Sequence, residues 1–264
     1  MKLFLGTRLA EEADASVSPF DRGFTLGDGL FETLRVKAGR VLRVEAHLAR
    51  LAAGAGVLGI PLPALDLGTA LAQTAEANGL SEGVLRLTLT RGPGPRGVLP
   101  PAEPKPTLVI TAAPLSPPLP PARLVIAQGT RRNDRSPLAQ VKSLNYLDGI
   151  LARQEAARRG VDDAILLNTR DGVAETSIAN LFAVIDGVLV TPPLSEGVLP
   201  GIMRAEVLLA VGATERPLTV DDIAAADEIL LTSALGIRSV ATLEGRPLPS
   251  TAAADRLRAL IEGA

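Results

Sequence analysis

A proline-rich stretch near the middle of the chain limits the folds available to it. Five prolines lie between positions 113 and 123, namely Pro114, Pro117, Pro118, Pro120 and Pro121. Proline lacks an amide hydrogen and clashes with the preceding helical turn, so this stretch favours an extended, stiff connector. The pattern predicts a smaller N-terminal domain over residues 1–113, a linker over 114–123 and a C-terminal domain over 124–264.

The N-terminal half contains both strand-like and helix-like patterns. Leu85, Leu87 and Leu89 alternate with polar residues, which is the period of a half-buried strand. The same reasoning predicts strands over 31–36, 84–90 and 107–112, and helical spacing predicts helices over 44–57 and 66–77. We therefore expect a sheet that packs against helices in this half.

The C-terminal half alternates short apolar runs with helical patterns. The runs predict buried strands over 124–127, 164–168, 180–185, 188–191 and 229–232. Helices are predicted over 144–159, 201–211 and 254–261, and Gly160 after two arginines is a favourable end for the first of them. The predicted fold class of the whole chain is α+β.

Composition excludes several classes of function. The 264 residues are 47% hydrophobic but only 2% aromatic, and the net charge is -2, so no nucleic-acid partner is expected. No apolar run is long enough to span a membrane and no signal-peptide pattern is present, which predicts a cytoplasmic protein without a membrane partner. The chain has no cysteine and a single histidine, His47, so no metal site is expected. The groups that could carry out catalysis are therefore Lys, Glu, Arg or Tyr side chains, or a bound cofactor.

Lysine is rare in this chain, and one lysine has unusual surroundings. The four lysines are Lys2, Lys37, Lys105 and Lys142. Lys142 follows an apolar stretch and directly precedes the helix predicted over 144–159. Partial desolvation there would lower the pKa of the amine and leave neutral amine able to attack a carbonyl. The alternative is a lysine that reaches from a helix end into water.

Six sequence blocks in a fixed order carry a resemblance to a known family. They are RGFTLGDGLFET at 22–33, EAHLARL at 45–51, the segment 142–156 that begins KSLNYL, AETSIANLF at 174–182, LPGIMR at 199–204 and LTSA at 231–234. In this order they resemble the class IV aminotransferases, the fold type IV enzymes that use pyridoxal 5'-phosphate (PLP). The motifs are most similar to those of 4-amino-4-deoxychorismate lyase and D-amino-acid aminotransferase.

The resemblance implies a fold, a cofactor and two central residues. The fold would be a two-domain α+β fold, with a small N-terminal α/β domain and a larger C-terminal pseudo-barrel domain that binds PLP. Lys142 is implied to form a Schiff base with PLP and then to carry the substrate proton. Glu175 is implied to lie against the pyridine nitrogen, where a carboxylate keeps that nitrogen protonated. On local pattern alone, Glu175 would be a solvated turn residue.

A second group is implied to bind the phosphate of PLP through a guanidinium, hydroxyls and backbone amides. Its members are Arg50, Ile202, Met203, Thr232 and Ser233. Pro200 precedes the helix predicted over 201–211, so the amides of the first turn are expected to lack acceptors within the helix. On local context alone, Arg50 would be an ordinary surface arginine. His47 lies one turn before it and is expected either to support the phosphate site or only to pack in the core.

Three further residues are expected near the cofactor or substrate. In some relatives a tyrosine near the position of Tyr146 hydrogen-bonds the phenolic oxygen of the cofactor, although a core position would explain Tyr146 equally. Arg35 and Arg96 are candidate ligands for a substrate carboxylate, with solvent-facing arginines as the alternative. In the family, the loop that carries Arg96 reaches across a dimer interface, which implies a homodimer with shared active sites.

The sequence leaves the reaction open between three branches of the family. D-amino-acid aminotransferases typically have arginine, any residue and then histidine in the loop, whereas this chain has Arg96-Gly97-Val98. The loop over 91–97 and Met203 resemble the lyase, which releases 4-aminobenzoate and pyruvate by elimination from a substrate aldimine. The lyase is therefore the predicted function. The alternatives are a D-amino-acid or branched-chain aminotransferase and, as a minor one, a non-enzymatic PLP-binding protein.

Overall fold

The computed structural model describes residues 1–261 and 263. Its contacts divide the chain into two compact units, Met1–Pro117 with Val141–Asn145, and Pro118–Gln140 with Tyr146–Ala264. The division falls inside the proline-rich stretch, which contains no helix. The domain limits at 1–113 and 124–264 stay a prediction. The short segment Val141–Asn145, which includes Lys142, belongs to the first unit.

The first unit is built on a six-stranded antiparallel sheet. Its strands are β1 (Lys2–Leu5), β2 (Arg8–Glu11), β3 (Gly29–Lys37), β4 (Arg40–Val41), β5 (Gly83–Thr90) and β6 (Thr107–Pro114), in the order β2-β1-β6-β5-β3-β4. Its helices are α1 (Arg22–Leu26), α2 (Val44–Leu58) and α3 (Leu67–Ala77). The three strands and two long helices predicted here are confirmed, whereas β1, β2, β4 and α1 were not predicted.

Alternation along the strands separates the two faces of this sheet. Leu85, Leu87 and Leu89 of β5 are fully buried in one cluster with Leu51 of α2 and Leu71 of α3. Burial of these side chains removes apolar surface from water and holds both helices on one face. The alternate residues of these strands, which include Phe31 on β3 and Arg86 on β5, point to the opposite face of the sheet.

A short extended segment lies beside the beginning of β3. The amide of Phe31 donates to the carbonyl of Lys142 at 3.0 Å, and the amide of Leu144 donates to the carbonyl of Gly29 at 2.9 Å. The helix predicted from residue 144 begins at Leu147 instead, so the prediction that Lys142 directly precedes a helix is wrong. The physical reason is that β3 supplies backbone partners to residues 142–144, which favours an extended conformation over a helical one.

The second unit is built on a nine-stranded mixed sheet. Its strands are β7 (Ala122–Ile126), β8 (Asp163–Leu167), β9 (Val173–Thr176), β10 (Asn180–Ile185), β11 (Val188–Thr191), β12 (Thr214–Glu215), β13 (Glu228–Ser233), β14 (Gly236–Leu243) and β15 (Arg246–Pro247). The order is β12-β11-β10-β13-β14-β7-β8-β9, and β15 pairs with β14. Its helices are α4 (Leu147–Arg158), α5 (Ile202–Val211), α6 (Val220–Ala225) and α7 (Ala252–Ile261).

Helices of the second unit pack on its sheet through small and branched side chains. Ala152 and Ala156 of α4 lie in a buried cluster with Val125, Ala164 and Leu166 of β7 and β8. The helices α5 and α7 share another buried cluster with residues of β10 and β13. Both units therefore combine sheet and helix, which confirms the predicted α+β class. Among the described residues, no helix has the length and apolar character needed to cross a membrane.

Candidate active site

Lys142 is half-buried and points its amine at an aromatic ring. The Nζ atom of Lys142 lies 4.3 Å from the centroid of the Phe31 ring. The guanidinium carbon of Arg86 lies 3.8 Å from the same centroid. Both contacts have the geometry of a cation–π interaction, in which the electron-rich face of the ring attracts a positive charge. Phe31 therefore places an amine and a guanidinium around one ring.

Arg35 belongs to the same face of β3 as Phe31, because side chains two residues apart along a strand point the same way. Across the sheet, Arg86 is the partner of Thr33 on β3, so it also belongs to this face. Arg35 forms an ion pair with Glu82, in which Nη2 of Arg35 lies 3.9 Å from Oε2 of Glu82. Arg86 was not predicted as a site residue. The alternation of polar and apolar residues along 84–90 was the available signal for it.

Arg50 and His47 meet a buried carboxylate on the opposite face of β3. The Nε and Nη2 atoms of Arg50 donate to the two carboxylate oxygens of Glu32 at 2.9 and 2.6 Å. The Nδ1 atom of His47 lies 2.7 Å from Oε2 of Glu32. Glu32 and His47 are each only 1% exposed. Burial raises the pKa of Glu32, but the hydrogen bonds from His47 and Arg50 outweigh it, so the pKa lies below its ordinary value of 4.5.

Glu32 is a residue that the sequence reasoning missed, although it stands inside the first sequence block. A paired guanidinium contact of this kind fixes the plane of the Arg50 side chain, because both carboxylate oxygens are engaged. The role of Arg50 toward a phosphate stays a prediction. The structure shows that its position is set by Glu32, and that His47 contacts the same carboxylate.

Glu175 lies in the second unit and accepts three hydrogen bonds or ion pairs. Its Oε1 atom is 3.1 Å from Nη2 of Arg132. Its Oε2 atom accepts from Nδ2 of Asn180 at 2.9 Å and from the amide of Leu199 at 3.1 Å. These donors hold the carboxylate in one orientation. Arg132 and Asn180 were not predicted as site residues, since Arg132 lies far from Glu175 in the sequence.

Asn180 links Glu175 to the beginning of α5. Its Nδ2 atom also donates to the carbonyl of Leu199 at 2.9 Å. A Cβ atom at position 201 would lie 1.8 Å from Oδ1 of Asn180, so only glycine fits there. Gly201 is the N-cap of α5 and offers no side chain to the helix. The amides of Ile202 and Met203 in the first turn therefore have no acceptor within the helix.

Thr232 stands beside Asn180, because the two residues are partners in the pairing of β10 with β13. Thr232 is 1% exposed, and its Oγ1 atom has no hydrogen-bond partner among the described residues. A buried hydroxyl without a partner is costly, so a ligand oxygen at this point would satisfy it. Ser233 is half-buried, and its hydroxyl accepts from the amide of Leu235 at 3.2 Å.

Tyr146 and Arg96 are the remaining predicted residues. Tyr146 is half-buried and is the N-cap residue of α4, so its role toward the cofactor stays a prediction. Arg96 is exposed on the loop over 91–106 between β5 and β6. Lys142, Arg50, Arg35 and Arg96 belong to the first unit, and the other predicted residues belong to the second. The described part of the chain has no cluster of three or more His, Cys, Asp or Glu able to hold a metal ion.

Comparison with known proteins finds similarity over almost the whole chain. A family model described as amino-transferase class IV matches residues 29–243. A Methanocaldococcus jannaschii protein, provisionally named a branched-chain-amino-acid aminotransferase, is 37% identical over 256 residues, 93% of this chain and 89% of that protein. The D-alanine aminotransferase of Bacillus licheniformis is 30% identical over 261 residues, 96% of this chain and 92% of that enzyme.

One solved structure supports the same relationship. The crystal structure of 4-amino-4-deoxychorismate lyase from Pseudomonas aeruginosa is 33% identical to this chain and has a TM-score of 0.84. The alignment covers 99% of this chain and 98% of the lyase chain. The predicted family resemblance and the predicted fold type are therefore confirmed.

The buried carboxylate of Glu32 predicts a specific pH dependence of stability. Because its pKa is lowered in the folded state, its stabilising effect is present above the unfolded-state pKa and is lost as the pH falls through the folded-state pKa. At pH 7, Glu32→Gln should lower the free energy of unfolding by about 3 kcal/mol, because the variant removes the negative charge that Arg50 and His47 contact. Below about pH 4 the difference from wild type should shrink.

Urea unfolding at pH 7 and at pH 3 measures this effect. Glu76→Gln is a matched control, because Glu76 is an exposed glutamate on α3 of the same unit. The control should change little at either pH. An equal loss of stability at both pH values for Glu32→Gln would show that the carboxylate charge does not carry the effect.

Proposed function

Since the chain belongs to the class IV aminotransferase family, we propose that it is a PLP-dependent 4-amino-4-deoxychorismate lyase that forms 4-aminobenzoate and pyruvate. Enzymes of this family use PLP. Three features of the second unit fit this cofactor: the oriented carboxylate of Glu175, the amides at the start of α5, and the buried, unpartnered hydroxyl of Thr232. A carboxylate suits the pyridine nitrogen, and amides with a hydroxyl suit a phosphate.

The observation that carries the lyase proposal is the pair of cations on the Phe31 ring. Arg86 lies on that ring together with Lys142, and Arg35 belongs to the same face of the sheet. 4-Amino-4-deoxychorismate has two carboxylates. Guanidinium groups bind carboxylates through two parallel hydrogen bonds, so Arg86 on the ring that Lys142 contacts and Arg35 on the same face of the sheet suit a substrate with two carboxylates.

The residues of the chain divide the work of the reaction. PLP, when bound, supplies an electron-withdrawing ring that stabilises negative charge on the amine-bearing carbon of the substrate. Lys142 attaches the cofactor and then acts as the base that removes the proton from this carbon. Glu175 holds a proton at the pyridine nitrogen, and the contacts from Arg132 and Asn180 keep the carboxylate in place to do so.

The phosphate ligands contribute binding that is constant through the reaction. Arg50 supplies the charge, while Thr232, Ser233 and the amides of Ile202 and Met203 supply donors. Uniform binding of this type anchors the cofactor without lowering the barrier of any one step. Arg35, Arg86 and Arg96 orient the carboxylates of the substrate, and Tyr146 donates to the phenolic oxygen of the cofactor.

Amino transfer is the second candidate function. The similarity to the named branched-chain and D-alanine aminotransferases favours it. In that reaction Lys142 would return the proton to the cofactor instead of leaving the substrate to eliminate pyruvate. The same residues serve both outcomes, because both begin with removal of the same proton.

The assignment of Lys142 predicts a covalent link to the cofactor. The protein purified with PLP should absorb visible light, and borohydride should attach the cofactor irreversibly to one peptide. Mass spectrometry of a protease digest should find the added mass on Lys142. Lys142→Ala should give no labelled peptide, while Lys105→Ala, a change at an exposed loop lysine, should label as wild type. A label on Lys2, Lys37 or Lys105 would overturn the assignment.

The branch of the family predicts which products form. With 4-amino-4-deoxychorismate alone, the enzyme should release 4-aminobenzoate and pyruvate with no keto acid added, because elimination needs no second substrate. Transfer from D-alanine or L-leucine to 2-oxoglutarate should be slower by about 100-fold. Fluorescence of 4-aminobenzoate and keto-acid formation should be measured on one preparation, with Lys142→Ala as the inactive control. Fast transfer without 4-aminobenzoate would replace the lyase proposal by amino transfer.

We also propose a homodimer with shared active sites. Phe20, Phe24, Val98 and Leu99 of the first unit are between 71% and 83% exposed, which is unusual for large apolar side chains in a monomer. Sedimentation at micromolar concentration should give twice the 27.3 kDa of one chain. Phe24→Glu should weaken the dimer by at least about tenfold. Leu209→Glu changes an exposed leucine on α5 and should not. A monomeric wild type would refute the homodimer.

A further inference from the structure

The loop over 91–106 is long and has no regular secondary structure, yet it is anchored by one arginine. Six prolines and three glycines lie in these sixteen residues. Loops of this length inside a compact unit are usually functional. The loop carries Arg96, which we proposed as a substrate ligand. Its position therefore matters for binding, and flexible segments bind poorly unless they are held in place.

Arg22 of α1 donates to the backbone of three consecutive loop residues. Its Nη1 atom donates to the carbonyl of Gly97 at 2.9 Å and, more weakly, to that of Leu99 at 3.5 Å. Its Nη2 atom donates to the carbonyl of Val98 at 2.8 Å. Arg22 itself is only 3% exposed. Three carbonyls thus face one guanidinium, while the side chains of Val98 and Leu99 are each 83% exposed.

A second arginine fixes the carboxylate on which Arg22 rests. Asp28 accepts from Nε of Arg22 at 2.8 Å and from Nε of Arg91 at 2.7 Å. Arg91 also donates to the carbonyls of Leu58 and Gly59 at the end of α2. Burial raises the pKa of Asp28, but the two arginines outweigh it and hold the pKa below its ordinary value. Arg22 is therefore tied to the body of the first unit through a charged and oriented carboxylate.

We propose that Arg22 is a positioning residue for substrate binding, which acts by holding residues 97–99 of the loop in the conformation that presents Arg96. This inference rests on the proposed function, because it needs Arg96 to bind a substrate carboxylate. A guanidinium is required because its planar fork directs several donors at once. A lysine would keep the charge opposite Asp28 but could not serve three carbonyls and the carboxylate together.

Two variants and a matched control test this inference. Arg22→Met removes every donor, and Arg22→Lys retains the charge if the methionine variant does not fold. Asn78→Ala is the control, because Asn78 hydrogen-bonds Lys2 and Thr74 in the same unit but takes no part in the contacts of Arg22 or Asp28. The first measurement is the rate of trypsin cleavage of the folded protein between Arg96 and Gly97. The second is the determination of KM and kcat as separate constants with 4-amino-4-deoxychorismate as the substrate.

Both Arg22 variants should be cut at Arg96 about tenfold faster than wild type, because the loop opens more often. KM should rise about tenfold while kcat changes by less than about twofold, since the loss is in substrate binding. Asn78→Ala should show wild-type cleavage at this bond and an unchanged KM, even if it lowers the melting temperature as much.

Wild-type cleavage rates in both Arg22 variants would overturn the inference, as would the same rise in KM in Asn78→Ala. The cleavage assay needs no substrate, so it tests the loop contact independently of the reaction. If wild type forms no 4-aminobenzoate, the proposed function fails by itself. KM is then measured with whichever amino donor is active, and an unchanged value in the Arg22 variants overturns the positioning role.

Discussion

Two backbone hydrogen bonds between residues 142–144 and the beginning of β3 fix the position of Lys142 in the first unit. They hold the lysine segment in an extended conformation beside Gly29 and Phe31. Because the pairing also sets which way each side chain points, Lys142 comes to lie over the ring of Phe31. A helical conformation at 142–144 would have broken both hydrogen bonds and turned the amine elsewhere.

Buried or half-buried carboxylates held by arginine recur in both units. Each is placed by a guanidinium that engages its oxygens, and each lies within or beside a motif of the family. The pairs are Asp28 with Arg22 and Arg91, Glu32 with Arg50, and Glu175 with Arg132. A buried charge is tolerated only when it is paired and hydrogen-bonded, so these pairs constrain the backbone around them. The chain uses arginine for this purpose and has only four lysines.

The first sequence block shows how one segment serves several purposes. Within residues 22–33, Arg22 contacts the loop, Asp28 anchors two arginines, Phe31 contacts Lys142, and Glu32 orients Arg50. Alternation along β3 sends Phe31 to one face of the sheet and Glu32 to the other. Adjacent residues can therefore contact the amine of Lys142 and the guanidinium of Arg50 without competing for the same space.

The sequence alone determined the α+β class, most of the long strands and helices, and the family, and it predicted Lys142 as the cofactor lysine. These features depend on local periodicity or on short motifs in a fixed order. Both can be recognised in the sequence without knowing which residues meet in the fold. Only the tertiary structure revealed that residues 142–144 pair with β3, that helix α4 begins at Leu147, and that Glu32, Arg86 and Arg132 accompany the predicted residues. Periodicity indicates whether a side chain is buried, but not which distant residue it meets. Those partners are decided by sheet register and by the need to satisfy every buried charge and amide.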